Sequence, residues 1–287
     1  MSTPPTIELR DGSALPRIGL GVFQVSDVDV CESSVARAIG LGYRLIDTAA
    51  VYRNERAVGR GVRASGVPRE EITVTTKLWP ADFGRRRSTA AIERAIERLG
   101  TGHVDLLLLH RPHGDVLGAW RALEDAVDHG TVRSIGVSNF AVADLQRLLE
   151  VARIRPVVDQ VELHPYWQQP DLLPFLAGEG IVPQAWYPLG HGSRELLGEP
   201  ALAAVAARHG RSAVQVVLRW HVQSGFVPLP KSTNPVHLAA NLDVFDFELE
   251  PDEMRSIDAL GRSRPLSRVP RWVEAVTTRL GTPPALP

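Results

Sequence analysis

The sequence predicts an α/β protein, a (β/α)8 TIM barrel with an N-terminal β-hairpin and a C-terminal tail near the barrel mouth. Three observations carry that prediction. Eight short apolar runs recur along the chain, amphipathic segments separate them, and a polar residue stands at the downstream end of run after run. Near-continuous apolar strands alternating with helices mean a parallel sheet buried on both faces. Eight such units over about 250 residues match a closed barrel.

The opening "TIELRDGSALPRIGLG" reads as two short strands around Asp11-Gly12, a good hairpin turn. The apolar runs then follow as "GLGVF" (19–23), "LIDT" (45–48), "ITVTTKL" (72–78), "VDLLLLH" (104–110), "SIGVSN" (134–139), "VVDQVEL" (157–163), "IVPQAW" (181–186) and "FVPLPK" (226–231). Between them, "STAAIERAIERLG" (88–100) predicts a helix capped by Ser88 and stopped by Gly100, and "SAVQVVLRWHVQSG" (212–225) has the same form. Arg85-Arg86-Arg87 reads as a solvated loop before the first of these. No linker, low-complexity segment or composition break precedes residue 262, so residues 1–287 are expected to be one domain with a divergent tail over 262–287. A doubly wound dinucleotide fold would want G-x-G-x-x-G after its first strand, and "GLGVFQ" supplies the first two glycines alone.

Net charge is −1, which favours neither nucleic acid nor an anionic membrane as partner. Cys31 is the single cysteine, so no intrachain disulfide is expected and a cytoplasmic setting is. All 32 basic residues but two are Arg, and the two lysines are Lys77 and Lys231. Lys and Arg differ most where a compact point charge or a tunable pKa matters.

In a barrel the strand C-termini converge on one face, so Asp47, Lys77, His110, Ser138, Asn139, Gln160 and Lys231 are expected to be neighbours in space. Each has a plainer reading by itself: Asp47 as a helix cap, Tyr52 as a packing residue, His110 as a core histidine bonded to backbone. Jointly they suggest carbonyl reduction. A Tyr phenol titrates near 10, too high for efficient proton transfer at neutral pH, and an adjacent Lys ammonium lowers that value. Asp47 supplies the counter-charge for Lys77, and a neutral His110 orients a carbonyl oxygen. Tyr52 then protonates the oxygen while a nicotinamide delivers hydride. Metal chemistry is disfavoured, since His110, His113 and His164 lack ligand-pair spacing and no H-E-x-x-H or Cys cluster exists.

Seven segments taken in order, "DTAAVYRNE" (47–55), "TTKLW" (75–79), "LLLLHRP" (106–112), "GVSNF" (136–140), "DQVELHP" (159–165), "AWYPLG" (185–190) and "LPKSTNP" (229–235), resemble the aldo-keto reductases, in particular the short bacterial 2,5-diketo-gluconate and aldehyde reductases. The resemblance implies an oxidoreductase acting on CH–OH donors, with Asp47, Tyr52, Lys77 and His110 catalytic and NADPH, or NADH, as cofactor. It implies that Ser138, Asn139 and Gln160 hold the nicotinamide carboxamide, that Trp186 stacks on the ring, and that Leu189 and Gly190 belong to a loop closing over the pyrophosphate. Lys231 and Ser232 match the residues that take the 2′-phosphate, with His237 and Asn241 on the following helix, whose cap is Asn234 and whose first residue is Pro235.

Four departures from the family pattern stand out. His237 replaces a common Arg, Ala240 an often-found Glu, Asp159 the usual Asn, and Arg111 a frequent Trp. Phe23, Trp79, His110 and Arg111 are expected to line the substrate pocket, and Arg111 there would favour carboxylates. The expected partner is a small carbonyl substrate, taken by a monomer without nucleic acid, membrane or metal. The rival reading is a nicotinamide-binding regulatory or structural barrel with little turnover. The resemblance supplies no role for Trp272.

Overall fold

The computed structural model describes residues 3–262 and 265–267. A hairpin of β1 (Thr6–Glu8) and β2 (Ala14–Pro16) precedes eight parallel strands: β3 (Leu20–Gly21), β4 (Leu45–Asp47), β5 (Thr73–Leu78), β6 (Val104–Leu109), β7 (Val132–Ser138), β8 (Val158–Glu162), β9 (Val182–Trp186) and β10 (Val227–Pro228). Each strand falls in one of the eight apolar runs, except that β7 begins two residues before its run, at Val132. The ladder runs from β3 to β10 in chain order, each strand beside its sequence neighbours. The two ends then meet: the Gly19 and Gly21 amides donate to Pro228 O and Pro230 O at 3.1 Å, closing the barrel. Closure leaves no free sheet edge.

Around it lie α1 (Val28–Leu41), α2 (Glu55–Ala64), α3 (Arg85–Leu99), α4 (Val116–Asp128), α5 (Val142–Leu149), α6 (Leu172–Glu179), α7 (Arg194–Leu197), α8 (Pro200–His209), α9 (Ala213–Gln223), α10 (Pro235–Leu242) and α11 (Pro251–Asp258). Side chains alternate across each strand. One set, including Leu45, Leu106, Leu108, Val158, Val227 and Leu229, forms a cluster that Leu9 and Leu15 of the hairpin region join. The other set packs against the helices in the main core, with Ile46, Val74, Leu107, Leu109, Val137 and Val161. Gly136 on β7 has no room for a side chain, because a Cβ there would meet Val158 O at 2.7 Å.

Two local expectations are corrected. Helix α3 starts at Arg85, not after Ser88, so the three arginines form its first turn rather than a loop. Gly84, at φ 114°, makes the entry that Ser88 was expected to cap; Ser88 is buried inside the helix and donates to Asp82 O at 2.9 Å. Arg is a good helix former, and a glycine entry leaves it free to open the helix. The stop is as expected, with Gly100 left-handed and its amide on Ile96 O. For α9, Ser212 does cap, completed by Gln215 in a reciprocal capping box. Among the described residues, no helix is long and apolar enough to cross a membrane. Trp272 and most of the tail lie outside the described residues.

Candidate active site

β4 delivers Asp47 at its last position, and the loop beyond it is pinned before α2 begins. Thr48 Oγ1 donates to Asn54 Oδ1 at 2.6 Å, and Asn54 Nδ2 reaches back to Val22 O and Val25 O. A 3-10 turn over Ala50–Tyr52 between those anchors carries the phenol to the barrel mouth. β5 delivers Lys77, fully buried, whose Nζ donates to Asp47 Oδ2 at 2.7 Å and Thr48 O at 2.8 Å. Asp47 Oδ1 accepts from Gln160 Nε2 at 2.8 Å. Both carboxylate oxygens are engaged across the barrel, so Asp47 is not a helix cap.

Lys77 Nζ lies 5.0 Å from the Tyr52 ring centroid. The Tyr52 ring meets His110 edge-on at 5.9 Å, and His110 meets Trp79 at 5.0 Å, nearly perpendicular. Phe23 packs on the other side of Tyr52 at 4.9 Å. His110 Nδ1 is buried without a partner among the described residues, which removes the reading of His110 as a backbone-bonded core histidine.

Electrostatics separate the three titrating groups. Burial opposes the charge on Lys77, but Asp47 and Tyr52 outweigh it and hold the ammonium above its usual range. His110 is driven well below 6.5, by burial first and then by the Lys77 and Arg111 cations, so it is neutral. For Tyr52 the expected net lowering does not occur. Burial raises the phenol above its usual value; Lys77 and Arg111 pull it back only in part, and Asp47 adds to the rise. Taking a phenolate out of water costs more than one nearby ammonium returns.

These residues surround a cavity of about 400 Å³. Of the residues anticipated for substrate and cofactor, Phe23, Trp79, Arg111, Ser138, Asn139, Gln160, Trp186, Leu189 and Lys231 all line it. Lys77 lies beneath the lining. Gly190 is left-handed in the turn over one side, while Ser232, His237 and Asn241 sit outside the lining, beyond Lys231. Asn234 caps α10 through Val236 N at 2.9 Å, with Pro235 in its first turn as the sequence indicates.

The lining fits a nicotinamide dinucleotide. Trp186 offers an aromatic face, and Gln160 spends its NH2 on Asp47 and Gln184, with no donor to its carbonyl oxygen among the described residues. Asn139, left-handed at φ 63°, is more committed. Its Oδ1 accepts from Trp186 Nε1 at 2.8 Å, and its Nδ2 donates to Ser138 Oγ and His110 O. Both Nδ2 hydrogens are thus engaged, and Oδ1 keeps one further lone pair.

Three participants escaped the sequence reading. Gln184 accepts from Gln160 at 3.1 Å. Tyr187, left-handed, stacks on His191 at 4.9 Å along the cavity wall. Glu162 accepts from Leu266 N and Ser267 N at 2.8 and 3.0 Å, fastening part of the tail at the mouth. Glu162 lies two residues from Gln160 on one strand, so period-2 alternation alone could have placed both on the inner face.

Residues 17–262 match the sequence model described as the aldo/keto reductase family. An aldo-keto reductase of Mycolicibacterium smegmatis is 48% identical over 259 residues, covering 89% of this chain and 90% of that protein. A glyoxal reductase of Bacillus subtilis is 45% identical over 262 residues, covering 91% and 94%. Among solved structures, a Bombyx mori aldo-keto reductase in complex with NADP superposes with a TM-score of 0.88 at 34% identity, covering 94% of this chain and 97% of that one.

Proposed function

The chain belongs to the aldo/keto reductase family, an oxidoreductase that reduces carbonyl groups with NADP(H), and from that premise we propose that Tyr52 is its proton donor in the reduction of aldehydes and ketones to alcohols. The observation that carries the reading is the buried relay from Gln160 through Asp47 to Lys77, which ends beneath the Tyr52 ring. When bound, the nicotinamide supplies a hydride to the carbonyl carbon.

The chain's own residues do the rest. Neutral His110 offers an N–H that orients the carbonyl oxygen and stabilises the charge growing on it. Tyr52 gives its phenolic proton to that oxygen. A phenol held above its usual pKa stays protonated throughout the neutral range, and Lys77 lowers the cost of the phenolate left behind. Asp47 fixes the ammonium in place. Phe23, Trp79 and Trp186 wall the cavity with aromatic surface, which restricts water around the reacting atoms.

Ser138, Asn139, Gln160, Trp186, Leu189 and Gly190 are assigned to the nicotinamide and pyrophosphate, and Lys231, Ser232, His237 and Asn241 to the adenosine end. The helix N-terminus at Asn234 supports the adenosine assignment, because its free amides favour a phosphate. We place the protein in the cytoplasm as a monomer acting on CH–OH donors, a setting that suits its one buried, unpaired cysteine. NADPH consumption with 4-nitrobenzaldehyde tests the enzymatic reading. Cofactor binding without turnover on a broad carbonyl panel would favour a regulatory barrel instead.

A further inference from the structure

Beside the catalytic cavity lies a second one of about 510 Å³, and its lining is unusually basic. Arg53, Arg56 and Arg60 reach it from the α2 segment, Arg94 and Arg98 from α3, and two acids, Glu55 and Asp82, accompany them. Arg98 pairs with Glu55 and Arg94 with Asp82, so both acids are already taken. Arg60 pairs with Glu32, while Arg56 reaches Glu97 only at 3.5 Å with both side chains exposed. The Arg53 amide donates to Ala50 O at 3.2 Å, while its side chain makes no hydrogen bond or ion pair among the described residues.

Two backbone features bring these charges together. Gly59 lets α2 pack directly on α3, since a Cβ there would meet Leu99 O at 1.7 Å. Arg53 immediately follows Tyr52 and is held left-handed at φ 58°, a conformation costly for a residue with a Cβ. The start of α2 also faces this space. Asn54 spends its side chain on Val22, Val25 and Thr48, leaving the first-turn amides of α2 without a side-chain cap, and Asn54 through Ala57 line the cavity. Val51 and Trp79 are the residues common to both linings. Trp79 is 4% exposed, and its indole N–H finds no acceptor among the described residues.

We infer that this arginine cavity is an anion subsite of the substrate site, so that the enzyme takes carbonyl compounds bearing a phosphate or carboxylate away from the reacting carbon. The inference rests on the carbonyl-reductase reading above. The carbonyl lies at Tyr52 and His110, the chain passes Val51 and Trp79, and the anion ends among the arginines. Guanidinium forks and free helix amides both suit a phosphate or carboxylate.

The test compares matched pairs with NADPH: glyceraldehyde with glyceraldehyde 3-phosphate, and butanal with succinic semialdehyde. The anionic member of a pair should have the higher kcat/KM by about tenfold at low salt, through KM, with the gap closing as ionic strength rises. A gain in the phosphate pair alone identifies a phosphate subsite, and a gain in both a general anion subsite. Arg53→Gly, which also relieves the backbone, and Arg56→Gln should each cut the anionic-to-neutral ratio several-fold. Arg86→Gln, outside this lining, should leave it unchanged. A preference untouched by the first two variants would place the anion elsewhere, at Arg111, and overturn the cavity assignment. Turnover of the neutral aldehydes with no anionic gain in either pair overturns the inference alone. No turnover with any of the four overturns the carbonyl-reductase reading, and the inference with it.

Discussion

Lys77 Nζ sits 2.7 Å from Asp47 Oδ2, and the lysine side chain is wholly enclosed by protein. An ammonium removed from water to that degree is costly unless paired, and its third-dimension neighbour Tyr52 depends on the pairing being kept. Asp47→Ala should therefore lose both stability, by about 3–5 kcal/mol, and activity, because an uncompensated buried charge remains. Denaturant unfolding of the variant checks the first and NADPH oxidation the second. A variant as stable as the parent would show that Lys77 is readily solvated or neutralised.

Tyr52→Phe should keep cofactor affinity and lose about 10²- to 10⁴-fold in turnover, since only the transferable proton is removed. Lys77→Arg should also be severely impaired, because a planar guanidinium does not fit a pocket closed around an ammonium. Fluorescence titration of the cofactor separates binding from chemistry. Wild-type turnover in Tyr52→Phe would remove Tyr52 from the proton-donor role, and in Lys77→Arg it would show that the ammonium is not required.

Lys231→Gly should weaken NADPH and leave NADH nearly unchanged if Lys231 meets the 2′-phosphate. His237, exposed on α10, offers that phosphate less than a guanidinium would. His237→Arg should tighten NADPH by about 1–2 kcal/mol through a charge-assisted contact. Dissociation constants for both cofactors decide the matter, and equal changes in the two would move the 2′-phosphate away from this segment.

Arg111 lines the catalytic cavity, and its charge is felt at both Tyr52 and His110. Arg111→Trp should lower the enzyme's preference for keto acids over neutral aldehydes of similar size, chiefly through KM. A substrate ranking identical in parent and variant would remove Arg111 from specificity.

His221 should make the protein less stable in acid. Burial lowers its pKa from 6.5 to about 4, against the opposing pull of Leu163 O and Val217 O at 3.0 and 2.8 Å. Between those two values the unfolded chain binds a proton that the native state refuses. Stability therefore falls as pH drops from 6.5 towards 4, by up to about 3 kcal/mol. His221→Gln should flatten that part of the wild-type stability profile. An unchanged slope would mean that the native imidazole is already protonated between its two carbonyls.

The sequence by itself determined the barrel and the identity of the polar residues at its mouth. Strand and helix periods are local properties, and right-handed closure of eight βα units forces successive strand ends onto one face. Asp47, Lys77, His110 and Gln160 could thus be grouped although more than a hundred residues separate the first from the last. What the sequence could not carry was the balance of opposing long-range terms. Lys77 lowers the Tyr52 pKa as expected, yet burial wins, and that burial depends on packing by Phe23 and His110, which follow β3 and β6, with Trp79 against His110. The same holds for the arginine cavity. Arg53, Arg56 and Arg60 look like an ordinary solvated helix face until Gly59 seats α2 on α3 and brings Arg94 and Arg98 beside them. Charge density and desolvation are properties of a volume, and only the folded chain defines that volume.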